Sequence, residues 1–415
     1  MKSRAQQVIE DCRSIAQLSE DPTNTTRTFL SAPMHDVHRL LGEQMLQIGM
    51  EVWLDAMGNL RGLYRDEVGR GARLLLGSHV DTVPAAGAYD GVLGVVLAIQ
   101  LLRCLDRRSP GFDIEVVAFS EEEGVRFGLP FLGSRALTGE VDEELMQRRD
   151  ANGISVEKAI RSFGLDPLQM AGAAMHPDTF GYVEFHIEQG PVLDSLSPAS
   201  RTQASGVRNL GVVEAIAGQT RLDLRFVGEA NHAGTTPMEM RRDALAGAAE
   251  WLLAVERVAR SVADMVATVG EIEVRPDTAN VIPGEAIVSL DLRHASDQQR
   301  GEALDQLVAR ARRIGQQRGL QVEARTRSER DAVAMNPVLT DQLERAVRAT
   351  GSISRRLTSG AGHDAMVMAA KVPAAMLFLP SPGGISHHPD ETVRVEDVQA
   401  ALDAGLYFLD HLQRP

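Results

Sequence analysis

The stretch RLLLGSHVDTVPAAGAYDG, residues 73–91, decides the fold. Its opening carries three consecutive leucines and reads as a strand buried on both faces, the habit of parallel sheets. VLGVVLAIQLLRCL, residues 92–105, follows at once as a buried helix, and IEVVAF, 114–119, as a second strand. A third strand, 181–187, alternates along its length. Strands alternating with helices are the pattern of a doubly wound α/β sheet. Between the first strand and its helix lie His79, Asp81 and Asp90. His79 and Asp81, two residues apart, share one side if the chain stays extended. The carboxyl ends of parallel strands are where open α/β sheets build their sites.

Further out, helices are predicted over residues 5–18 and 37–48, a strand over 50–54, and a turn at Gly58-Asn59. The pattern changes near Leu210. From there the chain reads as strands 212–217 and 221–227, helix 244–262, strands 266–274 and 286–293, and helix 301–318. Two strand–helix–strand units of this kind suggest a small α+β domain. Near Asp331 the chain returns to helix, a Gly-rich loop, strand 374–379, another loop and a final helix. The expected architecture is therefore α/β, with a mixed or parallel sheet flanked by helices in a discontinuous domain, residues 1–209 and 330–415. An α+β insert, residues 210–329, interrupts it and is long enough to fold as a unit.

Composition narrows the function. With 57 acidic against 43 basic residues and a formal charge of -14 in 415 residues, the chain lacks the basic footprint of a nucleic-acid binder. Hydrophobic residues at 44% and charged residues at 24% argue against wholesale disorder. Aromatics at 4% are too few for a base-stacking platform. The longest apolar run, 92–102, falls far short of the ~20 residues of a membrane span. The N-terminus has a helical period and early acids where a signal peptide would have an apolar core. Two cysteines, Cys12 and Cys104, fit a reducing cytoplasm.

Four clusters carry chemistry. Besides His79, Asp81 and Asp90, FSEEEGVRFG places Glu121, Glu122 and Glu123 directly after the second strand. YVEFHIEQGPVLD places His186 opposite an apolar row, and GGISHHPDE puts His387 and His388 after the last strand. Each alone has an ordinary reading: a capped loop, a solvated acidic loop, a surface histidine. Together, His79, Asp90, one glutamate, His186 and His387 supply three imidazoles and two carboxylates from separate strand ends. That set suits two borderline divalent cations bridged by a carboxylate and a water. Asp81 then serves as the acceptor that fixes the His79 tautomer. Glu122 is left over as a general base.

GSHVDT, AYDG, EEEGVRFG, HIEQGPVL, GEANHAGTTPM, NVIPG, DLR, SGAGHDA and GISHHPDE occur in this order between residues 77 and 391. On these motifs the chain resembles the hydantoinase/carbamoylase family of amidases, relatives of di-zinc aminoacylases and carboxypeptidases. The resemblance implies two divalent metal ions, zinc or manganese, with cobalt or nickel usable in vitro. Their ligands would be His79, Asp90 as bridge, Glu123, His186 and His387, with Glu122 as base and Glu121 a bystander. The insert would be a lid and dimerisation domain of a homodimer. Its His232 resembles the histidine that stabilises the developing oxyanion, often from the partner subunit. Asn280 and Arg293 resemble a carboxylate-binding pair, and Arg293 could offer a planar fork to that carboxylate. Without the resemblance, Asn280 reads as a turn residue and Arg293 as a strand-end ion pair. Gln189 and the loop from Gly360 to His363 resemble further substrate contacts. His388 departs from the small polar residue usual after the ligand histidine.

The implied reaction is hydrolysis of a ureido C–N bond in a small carboxylate. Within the family, allantoate amidohydrolase, releasing ammonia and carbon dioxide, competes with N-carbamoyl-L-amino acid hydrolase. The wording FSEEEGVRFG with FLGS after it, and the AGAYDG loop, lean towards allantoate. A dipeptidase or aminoacylase shares the ligand set. A non-catalytic binding protein would lack a ligand or the base, and none is missing.

Overall fold

Arg73–His79 forms a strand that is buried at every position, as its leucines require. The computed structural model that places it describes residues 2–66, 71–106, 108–195 and 208–414. Two compact units emerge, Met1–Glu214 with Met335–Pro415, and Ala215–Ala334.

The larger sheet is built from β1 (Glu51–Leu54), β2 (Leu60–Tyr64), β3 (Arg73–His79), β4 (Asp113–Phe119), β5 (Thr179–Ile187), β6 (Asn209–Ile216), β12 (Val333–Ala334), β13 (Ile353–Ser359) and β14 (Ala374–Leu379). Its order is β1-β2-β4-β3-β5-β14-β6-β12, with β13 also against β6. The four central strands β4, β3, β5 and β14 are mutually parallel, and the outer pairs are antiparallel. All four central carboxyl ends therefore open on one edge. The Val92–Leu105 helix, buried almost throughout, lies against β3, β4 and β5. Gly94 permits that approach, because a Cβ there would stand 2.1 Å from the Phe185 carbonyl.

The second unit is a sheet in the order β11-β7-β10-β8, with β9 also on β10: β7 (Gly218–Val227), β8 (Val266–Thr268), β9 (Ile272–Arg275), β10 (Glu285–His294) and β11 (Gln321–Arg330). Burial alternates residue by residue along β7 and β10, so one face carries the apolar side chains. Helices Ala244–Ser261 and Asp297–Arg318 cover that face around Leu224, Phe226, Trp251, Val288 and Leu307. Trp251 is fully buried, and its indole N–H donates to the Leu307 carbonyl at 2.9 Å.

Two expectations need correction. The strand expected at 212–217 does not open the insert. Most of it is β6, whose Gly211 and Val212 pair with β14 in the larger sheet, and the second unit starts at Ala215. The expected strand 266–274 is two strands, β8 and β9, parted at Gly270, and both lie along β10. Cys12 and Cys104 are buried and unpaired, and no helix among the described residues is long and apolar enough to cross a membrane.

His38, on the Ala32–Gln47 helix, is buried with neither ring nitrogen hydrogen-bonded, its ring edge-on to Phe163. Burial, with His35 nearby, pulls its pKa down to about 4. Unfolding releases this constraint, so between about pH 6.5 and about pH 4 the unfolded chain binds a proton that the folded chain refuses. Stability should fall by about 2 kcal/mol from pH 7 to pH 5 through this residue alone. Denaturant midpoints at the two pH values should show His38→Met losing less than the native chain; equal losses would remove His38 as the cause.

Candidate metal centre

The edge where the four parallel strands end gathers the chemistry-bearing residues. β3 ends in His79, and the loop after it brings back Asp81 and Asp90. β4 runs into Ser120–Glu123, β5 delivers His186, and the loop after β14 carries His387. His79, Asp90, Glu122 and His186 are buried, Glu123 is nearly so, and His387 is half-exposed.

Asp90 stands at the middle. Its Oδ1 lies 3.1 Å from His186 Nε2 and 3.7 Å from His79 Nε2. Its Oδ2 lies 3.1 Å from His387 Nε2, which is 3.4 Å from Glu123 Oε1. One carboxylate thus faces two separate donor sets, His79 with His186 and Glu123 with His387, each compact enough to hold an ion. Gly91 makes room for this: its φ is +67°, and a Cβ there would stand 2.5 Å from the His79 ring.

The imidazoles are aimed by the backbone. His186 Nδ1 sits 2.9 Å from the Ile187 carbonyl and His79 Nδ1 3.0 Å from the Asp81 carbonyl. An Nδ1–H donated to each carbonyl leaves both Nε2 lone pairs facing Asp90. This revises the expectation for Asp81. Its backbone oxygen is the nearer acceptor for His79, with the carboxylate at 3.4 Å. The carboxylate instead accepts the Glu122 N–H at 2.9 Å and the Glu123 N–H at 3.1 Å. Asp81 therefore holds the glutamate loop in place as well as flanking the histidine.

Carboxyl groups outnumber imidazoles in the site. Burial raises Glu122 well above the carboxylate range; His79 opposes this, and Glu123, Asp364 and Asp81 add to it. Glu123 is pushed up to about 7 by burial and by Asp90. Burial would raise Asp90 too, but His186 and His387 outweigh it and hold that carboxyl well below its usual range. His387 rises to about 9 through its bond to Asp90. Asp90 Oδ1 is buried with no hydrogen-bond donor. Buried acids crowded around an orphaned oxygen and converging imidazoles fit bound divalent cations.

The remaining expected residues fall in different places. Gln189, with a φ of +58°, donates from Nε2 to Asp90 Oδ2 at 2.8 Å and so borders the centre. His363 is buried behind His186, ring centroids 4.6 Å apart, with its Nε2 2.9 Å from Ser359 Oγ. It backs a ligand instead of facing open space, while Gly360 lies exposed before it. His388 points outward, its Nδ1 accepting the Asp390 N–H, so His387 alone of the pair meets Asp90. Glu121 is buried and joins none of the candidate ligand groups.

In the second unit, His232 and Asn280 are exposed neighbours. A bridge joins His232 to Val281, and the Ala233 N–H donates to the Asn280 carbonyl at 2.9 Å. Arg293 lies near the far end of β10, its Nε 2.7 Å from Asp291 Oδ1. Glu285 pairs with Val227 at the His232 end and Arg293 with Gln219 at the other. Eight strand residues, about 26 Å, separate the two ends. His232 and Asn280 thus lie towards the Glu285 end of β10 and Arg293 towards the other.

Three supporting acids escaped the sequence reading. Glu184, fully buried on β5, accepts from Ser78 Oγ, Tyr182 Oη and the Ala365 N–H. Asp364 accepts from Ser134 Oγ at 2.6 Å. Glu391 accepts the Asp90 N–H at 3.0 Å. The one available signal was Glu184 standing two residues before His186 on the same face of a strand.

A sheet edge built this way presents residue groups that could hold divalent metal ions. The chain belongs to the family described as peptidase family M20/M25/M40, which matches residues 75–411. It is 38% identical to an allantoate deiminase of Arabidopsis thaliana over 95% of this chain and 80% of that protein. An N-carbamoyl-L-amino acid amidohydrolase of Geobacillus stearothermophilus is 35% identical, over 92% of each chain. Among solved structures, a hydantoinase/carbamoylase family amidase from Burkholderia multivorans superposes with a TM-score of 0.89 at 29% identity, covering 98% of this chain and 97% of that one.

Proposed function

We propose that this chain hydrolyses a ureido C–N bond of a small carboxylate, with allantoate as its substrate. The observation that carries the chemistry is Asp90, whose two oxygens face two donor sets beside a buried glutamate. His79, His186 and Asp90 would hold one divalent ion, and Asp90, Glu123 and His387 the other, zinc or manganese. Bound there, such ions supply Lewis-acid polarisation and a water acidic enough to yield hydroxide near neutral pH. Ureido carbonyls are poor electrophiles because two nitrogens donate into them, so both effects address the difficulty.

Glu122 takes the proton of the attacking water at its carboxylate and passes it to the leaving nitrogen. Asp81, through two backbone amides, keeps Glu122 and Glu123 at their stations. Arg293 offers its fork to the substrate carboxylate. In this reading His232 and Asn280 meet the developing oxyanion, and their separation from Arg293 along β10 supports a homodimer in which the two ends serve from different copies.

The second reading, an N-carbamoyl-L-amino acid hydrolase, is favoured by the 35% identity to the Geobacillus protein. Ammonia release by purified, metal-loaded protein separates the two. Allantoate should be turned over with kcat/KM at least about tenfold above any N-carbamoyl-L-amino acid. The reverse order would establish the second reading, and activity on dipeptides alone would exclude both.

A further inference from the structure

Glu391 has no part in the chemistry described so far, yet it touches the segments that carry two of the candidate ligands. It is 5% exposed. Its Oε1 accepts the Tyr89 N–H at 2.9 Å and the Asp90 N–H at 3.0 Å, a forked clamp on the backbone of the central carboxylate. Its Oε2 accepts from Ser386 Oγ at 3.2 Å, one residue before His387. Ser386 Oγ also stands 3.2 Å from Asp90 Oδ2, the oxygen that faces His387. The Glu391 N–H closes the turn by donating to the His388 carbonyl at 3.0 Å. Gly87 lets the side chain in, since a Cβ there would lie 2.5 Å from Oε1. Residues some 300 positions apart in sequence are thus tied at one carboxylate.

The two donor sets are held by different means. His79 and His186 sit at the ends of buried parallel strands, and adjoining carbonyls orient their rings. His387 has no strand beneath it. It stands on a loop with a φ of +54°, a conformation that an L-residue keeps only when its surroundings impose it. Within that loop, Ser386 and Glu391 bind it to the Asp90 segment beside His387 itself.

We propose that Glu391 is a positioning residue that locks the His387 loop to Asp90 and so sets the affinity of the Asp90–Glu123–His387 position selectively. This rests on the two-metal reading above. Removing the carboxylate frees the Asp90 amide and the His387 loop together. The strand-held pair keeps its geometry, and the loop-held ligand loses its anchor.

Metal binding to the purified apo-protein tests this without any assay of turnover. Zinc and manganese are titrated calorimetrically into the native chain, Glu391→Gln, Glu391→Ala and Ser386→Ala, with thermal unfolding of each apo-protein as the fold check. The native chain should bind two ions. Glu391→Ala should weaken one of them about 10- to 100-fold and leave the other within about threefold. Glu391→Gln, which keeps an acceptor for the two amides, should recover part of that loss. Ser386→Ala should weaken the same ion more mildly and keeps the test open should Glu391→Ala fail to fold. Equal weakening of both ions, or native affinity in Glu391→Gln and Ser386→Ala alike, overturns the proposal. A native chain that binds one ion or none overturns the two-metal reading beneath it.

Discussion

Glu122→Gln should retain both metal ions and lose turnover, with kcat down by about 10²- to 10⁴-fold and KM within about threefold of the native value. Glutamine keeps the size of the side chain and its hydrogen-bonding oxygen but cannot carry a proton away from water. The loop would not move, because Asp81 holds it through the backbone amides of residues 122 and 123. Burial and neighbouring acids raise the Glu122 carboxyl, and two bound cations would act in the opposite sense. Metal content measured beside kcat makes the test specific. Retention of more than a few per cent of native activity would remove Glu122 from its role, and loss of metal would recast it as a ligand.

Mixing two inactive variants should restore activity. Arg293→Ala removes the carboxylate fork and should raise KM strongly. His232→Ala removes an oxyanion donor, a loss of about 10²- to 10³-fold in kcat where such donors have been deleted. If each site takes Arg293 from one copy and His232 from the other, every mixed dimer contains one site with both residues intact and one with neither. Random pairing then returns about a quarter of the native sites. If both residues act from one copy, whichever copy that is, each mixed dimer has two crippled sites and nothing is restored. Coexpression with two affinity tags isolates the mixed dimer. Activity no higher than that of either parent would refute the division of labour inferred from the length of β10.

How much of this was legible in the residues depended on whether the determining contacts were local. The leucines of 74–76 and the apolar run 92–99 announce a buried strand and its helix, because burial on both faces demands such composition. β2 went unread because its buried Arg61, paired with Glu115 at 2.6 Å, looks like a surface residue until the partner strand is known. β11 went unread for the opposite reason: QVEARTRSER is an edge strand exposed along nearly all its length and shows no apolar face. The insert boundary was misplaced because only Ala217 separates β6 from β7, and sheet membership is no property of a local stretch.

The site divides in the same way. His79, Asp90, His186, His387 and one glutamate could be nominated from residue type, since few other residues can hold a metal, while the choice of Glu123 among three adjacent glutamates came from the resemblance. Glu184, Asp364 and Glu391 could not, because their partners are hydroxyls and amides supplied by distant segments. That Arg293 lies at the end of β10 away from the His232 segment became visible only through strand register.

The place of β14, between β5 and β6, imposes an order on the birth of the molecule. Two strands complete by residue 216 must wait, unjoined, for a partner that ends at residue 379. At ribosomal speeds of about 5–20 residues per second, that interval is about 8–33 s. His79, Asp90 and His186 emerge before it and His387 only after it. The nascent chain thus displays one complete donor set, beside open strand edges, well before the other exists. Metal acquisition during synthesis would be sequential, with the strand-held position first and the loop-held position last.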